Sequence, residues 1–234
     1  MGAPPLLIED PSLRDRDRVF LDRTDAGGRL AALLGEWAGT DALVLAVPAG
    51  GVPVAVEVAR ALELPLDVAV VSKVTLPWNP EAGYGAVAFD GTVELNEELL
   101  AYLGLTRRET EEGVARTRAK VARRVAALRG DRPFPRLEGR PALLVDDGLA
   151  SGFTLRVAAG ALGRAGAARV IVAVPTAHRG ALGRLAGRVE RVYCPNVRSA
   201  LPFAVADAYR LWRDVPEEEA RAALERFHEE RRGG

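Results

Sequence analysis

The stretch PALLVDDGLASGFTL, residues 141–155, joins an apolar run, two acidic residues and a loop of small residues in immediate succession. The run at 142–145 predicts a buried strand, because short apolar runs bounded by turn residues are typical of parallel sheets. Asp146 and Asp147 come where that strand ends, and residues 148–154 lead into a helical pattern. The stretch therefore predicts a strand, a tight loop and a helix, which is the repeating unit of an α/β fold.

The loop after the two aspartates has the chemistry of a phosphate and sugar site. Its backbone N–H groups stand at a helix start, where free donors and the helix dipole favour an anion. Ser151 and Thr154 add hydroxyl donors, while Asp146 and Asp147 can accept from sugar hydroxyls or hold a hard cation. A plain turn is the alternative, since Asp and Gly are turn residues. The full ten-residue pattern between strand and helix favours the binding site.

The ten residues VDDGLASGFT resemble the motif that binds phosphoribosyl pyrophosphate (PRPP) in the type I phosphoribosyltransferases. The resemblance implies that Asp146 and Asp147 hold the ribose hydroxyls and bind Mg²⁺, either directly or through water or those hydroxyls. It assigns the 5′-phosphate to a loop made of Gly148, Ala150, Ser151, Gly152, Phe153 and Thr154. Ala150 stands where many members have Thr, which removes a hydroxyl but keeps the backbone donor.

A second strand, turn and helix unit precedes the first. The apolar run DALVLAV at 41–47 predicts a buried strand, and a helix is predicted over 54–62 after the turn PAGGVP. In the family this turn is the pyrophosphate loop, so the resemblance assigns the leaving group to Pro48, Ala49, Gly50 and Gly51. Close relatives often carry Arg where this chain has Ala49, and losing that bidentate donor puts catalytic strength in doubt. A plain Pro-Gly turn is the alternative interpretation.

Lys73 follows a third apolar run at 66–71 and is predicted to lie at the end of a strand. Ligands of open α/β sheets bind at the carboxyl ends of strands, so Lys73 is expected to meet the pyrophosphate as a point charge. The chain has only two lysines, Lys73 and Lys120, among 32 basic residues. A surface lysine is the equally weighted alternative.

Residues 74–130 break the α/β rhythm and are predicted to form a flap or hood insertion. The dipeptide Asp90-Gly91 predicts a hairpin there. Two aromatic residues are candidates for stacking on an acceptor base: Trp78 in the insertion and Phe203 in the loop after the last predicted strand. Packing is the alternative role for Trp78, and anchoring the C-terminal segment is the alternative for Phe203.

Further apolar runs at 169–174 and 189–194 continue the strand and helix pattern. We expect one α/β domain over residues 1–234, with a Rossmann-like, mostly parallel sheet of about five strands flanked by helices. Residues 1–15, rich in proline and charge, are expected to lie loosely on the surface.

Composition argues against several classes of protein. The formal net charge is zero, so there is no global basic field for nucleic acid. Cys194 is the one cysteine, which rules out an intramolecular disulfide and argues against a zinc cluster. Because no apolar run approaches a membrane span and no leader pattern opens the chain, we expect a cytoplasmic protein with no membrane partner. A homodimer is compatible with the resemblance, since the fold commonly dimerises.

The function implied by the resemblance is transfer of 5-phosphoribosyl from PRPP, with Mg²⁺, to a nucleobase or related nitrogen acceptor, releasing pyrophosphate. The alternative is a catalytically weak protein that binds PRPP or a nucleotide for regulation, which Ala49 favours slightly. A dinucleotide enzyme and a P-loop NTPase are both disfavoured, because neither glycine fingerprint occurs at a strand end. No side chain in the sequence identifies the acceptor.

Overall fold

A computed structural model describes residues 3–233, apart from the side chains of Pro80 and Glu81. Its centre is a sheet of six strands, all paired in parallel, so the expected α/β architecture is confirmed. In spatial order the strands are β1 (Leu6–Ile8), β10 (Arg191–Tyr193), β8 (Arg169–Ala173), β7 (Pro141–Val145), β2 (Leu43–Ala46) and β3 (Leu66–Val68).

Apolar side chains of the central strands alternate between the two faces of this sheet. Leu144 of β7 stands opposite Leu45 of β2 and Val172 of β8, and all three belong to one core. The next residues along two of these strands, Val145 and Ala173, belong to a second core. Burial on both faces explains why the central strands appear in the sequence as continuous apolar runs.

Helices cover both faces of the central sheet. One core receives side chains from α1 (Arg23–Leu33), α2 (Gly51–Ala61) and α7 (Glu217–Gly233), and also from α4 (Arg107–Arg129), which is described below. The other core receives α5 (Phe153–Arg164) and the short α6 (Arg179–Leu182). Among residues 3–233, no helix is both long and apolar enough to cross a membrane.

A separate antiparallel sheet is built from the segment between β3 and β7. Its strands are β4 (Val71–Leu76), β5 (Asn79–Ala88) and β6 (Val93–Leu95), with β4 at one edge. The predicted hairpin across Asp90-Gly91 is confirmed, because it joins β5 to β6 and Gly91 has a φ of +83°. Two helices follow, α3 (Glu97–Leu103) and the long α4 (Arg107–Arg129), and α4 packs against β4.

The prediction for residues 1–15 was wrong over one short segment. Leu6–Ile8 forms β1 and pairs in parallel with β10 at the edge of the central sheet. Three apolar residues between prolines and acidic residues are too few to show a strand period. Pairing with the exposed edge of β10 is a tertiary contact that the local sequence does not reveal.

The predicted position of Lys73 at the end of a central strand was also wrong. The parallel strand β3 ends at Val68, and Lys73 lies inside β4, where it stands opposite Ala86 of β5. Val and Thr recur along the whole run 66–76, at positions 68, 70, 71, 74 and 75, so its pattern does not mark where the chain leaves one sheet for another.

A third, two-stranded sheet lies beyond the carboxyl ends of β8 and β10. It pairs β9 (Thr176–His178) in parallel with β11 (Asn196–Arg198). Leu149, in the loop after β7, bridges to Ala177 of β9. This small sheet therefore supports the loop that follows the two aspartates.

Candidate functional site

The two glycine-containing loops predicted from the sequence lie side by side. They follow the neighbouring strands β2 and β7, in which Ala46 stands opposite Val145. A Cβ atom on Gly51 would lie 2.8 Å from the carbonyl oxygen of Val145, and one on Gly50 would collide with Asp147 Oδ2. The Pro48–Ala49 peptide bond in this loop is cis. Glycine at positions 50 and 51 therefore allows the first loop to contact the carboxylates of the second.

Asp146 and Asp147 share one site but have different surroundings. The backbone N–H of Asp147 donates to Asp146 Oδ1 at 2.9 Å. Burial and the negative charge of Asp147 raise the pKa of Asp146 well above its usual range. Burial also raises the pKa of Asp147, but the Arg23 guanidinium opposes this effect and the rise is smaller. The two carboxylates therefore resist being ionised together, and Arg23 favours the charged form of Asp147.

Arg23, at the start of α1, holds Asp147. Its Nε and Nη2 atoms both donate to Asp147 Oδ2, at 2.9 and 2.8 Å, and Nη1 donates to the carbonyl oxygen of Arg213 at 2.8 Å. The guanidinium carbon lies 3.9 Å from the centre of the Trp212 ring. Tyr209 Oη donates to the carbonyl oxygen of Asp147 at 2.6 Å. The C-terminal segment thus fixes both the arginine and the aspartate that it pairs with.

The sequence reasoning did not identify Arg23 as part of the site. In a chain with 32 basic residues, one more arginine in a charged segment carries little information. One local signal existed. Arg23 is the first residue of α1, where a positive charge is unfavourable because it opposes the helix dipole, so a compensating contact is expected. That contact is with Asp147, which lies 124 positions away in the sequence.

The loop at 148–154 presents free backbone donors at the N-terminus of α5. Leu149 is held in place, since its N–H donates to Thr176 and its carbonyl oxygen accepts from His178, both at 2.9 Å. Gly152 caps α5 with a φ of +75°. Within residues 3–233, the backbone N–H groups of Ala150, Ser151, Gly152 and Thr154 donate to no backbone or side-chain acceptor. These donors suit an anion such as a phosphate.

Arg184 adds a positive charge next to this loop. Its Nη1 atom donates to the carbonyl oxygen of Ser151 at 2.9 Å. The side-chain oxygen of Ser151 accepts a long hydrogen bond, 3.4 Å, from the backbone N–H of Phe153. The guanidinium of Arg184 therefore holds the loop in place at Ser151.

Lys73 lies on β4 of the antiparallel sheet and not on the parallel sheet. Burial is the largest influence on the pKa of Asp146 and raises it, whereas the positive charge of Lys73 is a minor influence that lowers it. The lysine stem rests on Gly83 of β5, where a Cβ atom would lie 3.2 Å from Lys73 Cβ. Because Gly83 has no side chain, the aliphatic part of Lys73 can pack directly against the backbone of β5 at this position.

The two aromatic candidates are placed differently. Trp78 lies in the turn between β4 and β5 and exposes 61% of its surface. Phe203 is half-buried, with its ring centre 5.5 Å from that of His178 and 5.0 Å from the guanidinium carbon of Arg198. Phe203 thus packs against residues of β9 and β11, whereas Trp78 is largely exposed. Stacking on an acceptor base stays a prediction for both residues.

The donor set at Asp146 and Asp147 fits Mg²⁺ as an ion shared with a phosphorylated ligand. Among the described residues, no group of three or more His, Cys, Asp and Glu side chains could hold a metal ion by themselves. Mg²⁺ typically uses one or two carboxylates together with substrate phosphates and waters. Asp146 is the freer of the two carboxylates, because Arg23 occupies Asp147.

Comparisons with known proteins identify the family of the chain. A family model described as "Phosphoribosyl transferase domain" matches residues 23–207. Two Mycobacterium tuberculosis proteins, from strains CDC 1551 and H37Rv, are provisionally named phosphoribosyl transferases and are 37% identical to this chain over 211 residues. The alignment covers 90% of this chain and 47% of each relative, so the chain spans about half the length of the curated relatives it matches.

A solved structure matches over most of both chains. TT1426 from Thermus thermophilus superposes with a TM-score of 0.72 at 37% sequence identity, covering 89% of this chain and 98% of that chain. The family match includes both loops, the antiparallel sheet between them and the acidic pair. On these grounds the chain belongs to the phosphoribosyl transferase family.

Proposed function

We propose that this protein transfers the 5-phosphoribosyl group of PRPP to a nucleobase or related nitrogen acceptor, with Mg²⁺, and releases pyrophosphate. The observation that carries the proposal is the contact between the loop at 48–51 and the acidic pair Asp146 and Asp147. This contact places the backbone of the loop at 48–51 beside the two carboxylates, and the loop that follows the carboxylates leads to the N-terminus of α5. PRPP has a phosphate, a ribose and a pyrophosphate to match these three features.

Each part of PRPP has a counterpart in this site. The free N–H groups and hydroxyls of the loop at 148–154 bind the 5′-phosphate, helped by the N-terminus of α5. Asp146 and Asp147 accept hydrogen bonds from the ribose hydroxyls. The backbone of Pro48, Ala49, Gly50 and Gly51, at the start of α2, binds the pyrophosphate, and Lys73 adds a positive charge.

The reaction breaks the bond between ribose C1 and the pyrophosphate oxygen, and the bonding electrons leave with pyrophosphate. The acceptor nitrogen attacks C1 and loses its proton to the solvent. Positive charge develops at the ribose before the new bond is complete, and the carboxylates of Asp146 and Asp147 stabilise it. Mg²⁺, held by Asp146 and the substrate, would neutralise charge on the pyrophosphate. The remaining contribution is positioning by the two loops.

The alternative proposal is a protein that binds PRPP or a nucleotide but turns it over weakly. Ala49 favours it, because this loop position carries no cationic side chain for the leaving group. The substitution Ala49→Arg tests this point directly. If the missing cation limits catalysis, Ala49→Arg raises the rate of pyrophosphate release without strengthening ribose 5-phosphate binding.

Calorimetric titration with PRPP, with and without Mg²⁺, tests the proposed donor. We expect binding that strengthens with Mg²⁺ and weakens at least about tenfold in Asp146→Asn, since that change removes the freer carboxylate. Asp90→Asn, which removes a carboxylate in the distant hairpin turn, is the matched control and should bind as the unaltered protein does. Absence of PRPP binding by the unaltered protein would reject the transferase.

Release of pyrophosphate separates the two proposals. The unaltered protein is incubated with PRPP, Mg²⁺ and a panel of purine and pyrimidine bases and other nitrogen nucleophiles. Acceptor-dependent release above the rate of PRPP hydrolysis supports the transferase. Tight PRPP binding without release for any acceptor supports the regulatory protein.

A further inference from the structure

A basic cleft lies between the edge strand β4 and helix α4, outside the two glycine loops. Its volume is about 580 Å³, within the range of small-molecule sites. Four cationic side chains line it, namely Lys73, Arg116, Lys120 and Arg123. They include both lysines of the chain. Among the described residues that line the cleft, none is acidic.

Helix periodicity explains how α4 contributes three of these cations. Arg116, Lys120 and Arg123 are spaced four and three residues apart, so they share one face of the helix. Gly113 and Thr117 lie on the same side and are buried. A Cβ atom on Gly113 would collide with the hydroxyl of Tyr84, so glycine lets the helix approach the sheet. The cations are therefore held beside β4 by the packing beneath them.

The charges of this cleft are unpaired, unlike others on the same helix. Arg107, Arg108 and Arg124 form ion pairs with Glu111, Glu112 and Glu217 at 2.7, 2.9 and 2.6 Å. Within residues 3–233, no ion pair or hydrogen bond involves the side chain of any of the four cleft cations. Like charges one turn apart repel each other and cost stability. An anion bound between them would remove that cost.

Lys73 is shared between the cleft and the proposed donor site. It lines the cleft from β4, and the proposed function assigns its charge to the pyrophosphate. The arginines and the lysine of α4 belong to neither glycine loop.

We propose that this cleft binds a phosphate-bearing anion at a site additional to the PRPP loops. The proposal deepens the proposed function, on which its link to catalysis rests. Two sources share this chemistry: an acceptor substrate that carries a phosphate, and a free oligophosphate that acts as an effector. In both cases the phosphate is bound by three cations of α4, namely Arg116, Lys120 and Arg123. Lys73 lies in the cleft as well and is the cation that the proposed function assigns to the pyrophosphate.

The first test is a calorimetric titration with inorganic tripolyphosphate at low ionic strength. Lys120→Glu is compared with Arg118→Glu, which makes the same charge change at an exposed position of α4 outside the cleft. We expect Lys120→Glu to weaken binding about tenfold and Arg118→Glu to change it by less than about twofold. Equal losses in the two variants, or no binding by the unaltered protein, would overturn the proposal. Circular dichroism and thermal unfolding verify that both variants are folded.

The second test separates the cleft from the donor site. Tripolyphosphate should bind Asp146→Asn as it binds the unaltered protein, and should still bind in the presence of saturating PRPP and Mg²⁺. Complete displacement by PRPP would mean that the cleft only receives the pyrophosphate of the donor, and the additional site would be rejected. If PRPP does not bind at all, the proposed transferase fails, while the comparison of Lys120→Glu with Arg118→Glu still decides the cleft.

The third test identifies the source of the phosphate. Pyrophosphate release is measured with pairs of nitrogen nucleophiles that differ only in carrying a phosphate. An acceptor site is supported if the phosphorylated member is consumed faster and this preference is lost in Lys120→Glu but kept in Arg118→Glu. An effector site is supported if tripolyphosphate changes the rate with every acceptor without being consumed.

Discussion

Arg23 and Asp147 form a largely buried ion pair in which two guanidinium nitrogens, Nε and Nη2, donate to the same carboxylate oxygen at 2.9 and 2.8 Å. The pair distinguishes the two aspartates of the site. Asp147 has a cation, a tyrosine hydroxyl on its carbonyl oxygen and a fixed position, whereas Asp146 has only the N–H of Asp147 and more distant charges. One carboxylate is thus structurally anchored and the other is left for a ligand.

Stability should depend strongly on Arg23. Arg23→Met keeps most of the side-chain volume but leaves the largely buried Asp147 without its cation, so the free energy of unfolding should fall by as much as about 3 kcal/mol, the lower end of the range for a fully buried pair. The control is Arg29→Met on the same helix, where the ion pair with Asp25 is half-exposed and 3.3 Å long. That change should cost no more than about 0.5 kcal/mol. Urea unfolding of both variants measures the difference, and equal losses would contradict a special role for the buried pair.

Ionisation of Asp146 should make stability depend on pH. The pKa of Asp146 is raised in the folded protein, so ionising it costs more in the folded than in the unfolded state. The unaltered protein therefore loses stability as pH rises from the usual carboxyl range through the raised pKa. Asp146→Asn removes this loss and should be more stable than the unaltered protein at pH values above the raised pKa.

The gain in Asp146→Asn should shrink as pH is lowered and vanish below the usual carboxyl range, where Asp146 is protonated in both states. Thermal unfolding of the variant and the unaltered protein at several values between about pH 4 and about pH 8 measures the gain. A gain that is independent of pH would show that ionisation of Asp146 is not its cause.

The contact between the two loops should not tolerate a methyl group. In Gly51→Ala the added methyl group meets backbone atoms, Val145 O at 2.8 Å and Asp146 Cα at 2.9 Å, which cannot move aside as a flexible side chain could. We expect a loss of about 1–3 kcal/mol and weaker PRPP binding. Gly163→Ala, at an exposed position of α5 with nothing within 4 Å, should instead gain about 0.5–1 kcal/mol. Denaturant unfolding and PRPP titration of the two variants give the comparison; unchanged PRPP affinity in Gly51→Ala would argue against the loop as the pyrophosphate site.

Backbone strain and crowding should be separable at the phosphate loop. Gly152 and Gly139 both have positive φ, +75° and +77°, but only at Gly152 would a Cβ atom approach another group, Ala181 O at 2.9 Å. Gly139→Ala should cost about 1–2 kcal/mol from strain alone, and Gly152→Ala should cost more. Because Gly152 caps α5, its variant should also bind ribose 5-phosphate more weakly, whereas Gly139→Ala should bind it normally. Calorimetry with ribose 5-phosphate measures this, and normal binding by both variants would argue against the loop as the phosphate site.

Much of the sheet and the candidate loops followed from local pattern. The predicted strands at 41–47 and 142–145 are short, mostly apolar runs followed by Pro or Asp, and such runs are typical of the central strands of a parallel sheet. The hairpin at Asp90-Gly91 was predicted for a similar reason, since that dipeptide suits a tight turn. By contrast, the three residues of β1 were too few to show any period.

The local sequence was enough to predict the α/β units and the residues at their loops, because strand and helix periods and glycine turns act over a few neighbouring residues. Contacts between distant segments were needed to establish that Arg23 pairs with Asp147, that Lys73 belongs to the antiparallel sheet, and that both lysines line one cleft. The strength of a charge interaction depends on burial and distance, and both are set by segments that lie far apart in the chain and meet only when it folds.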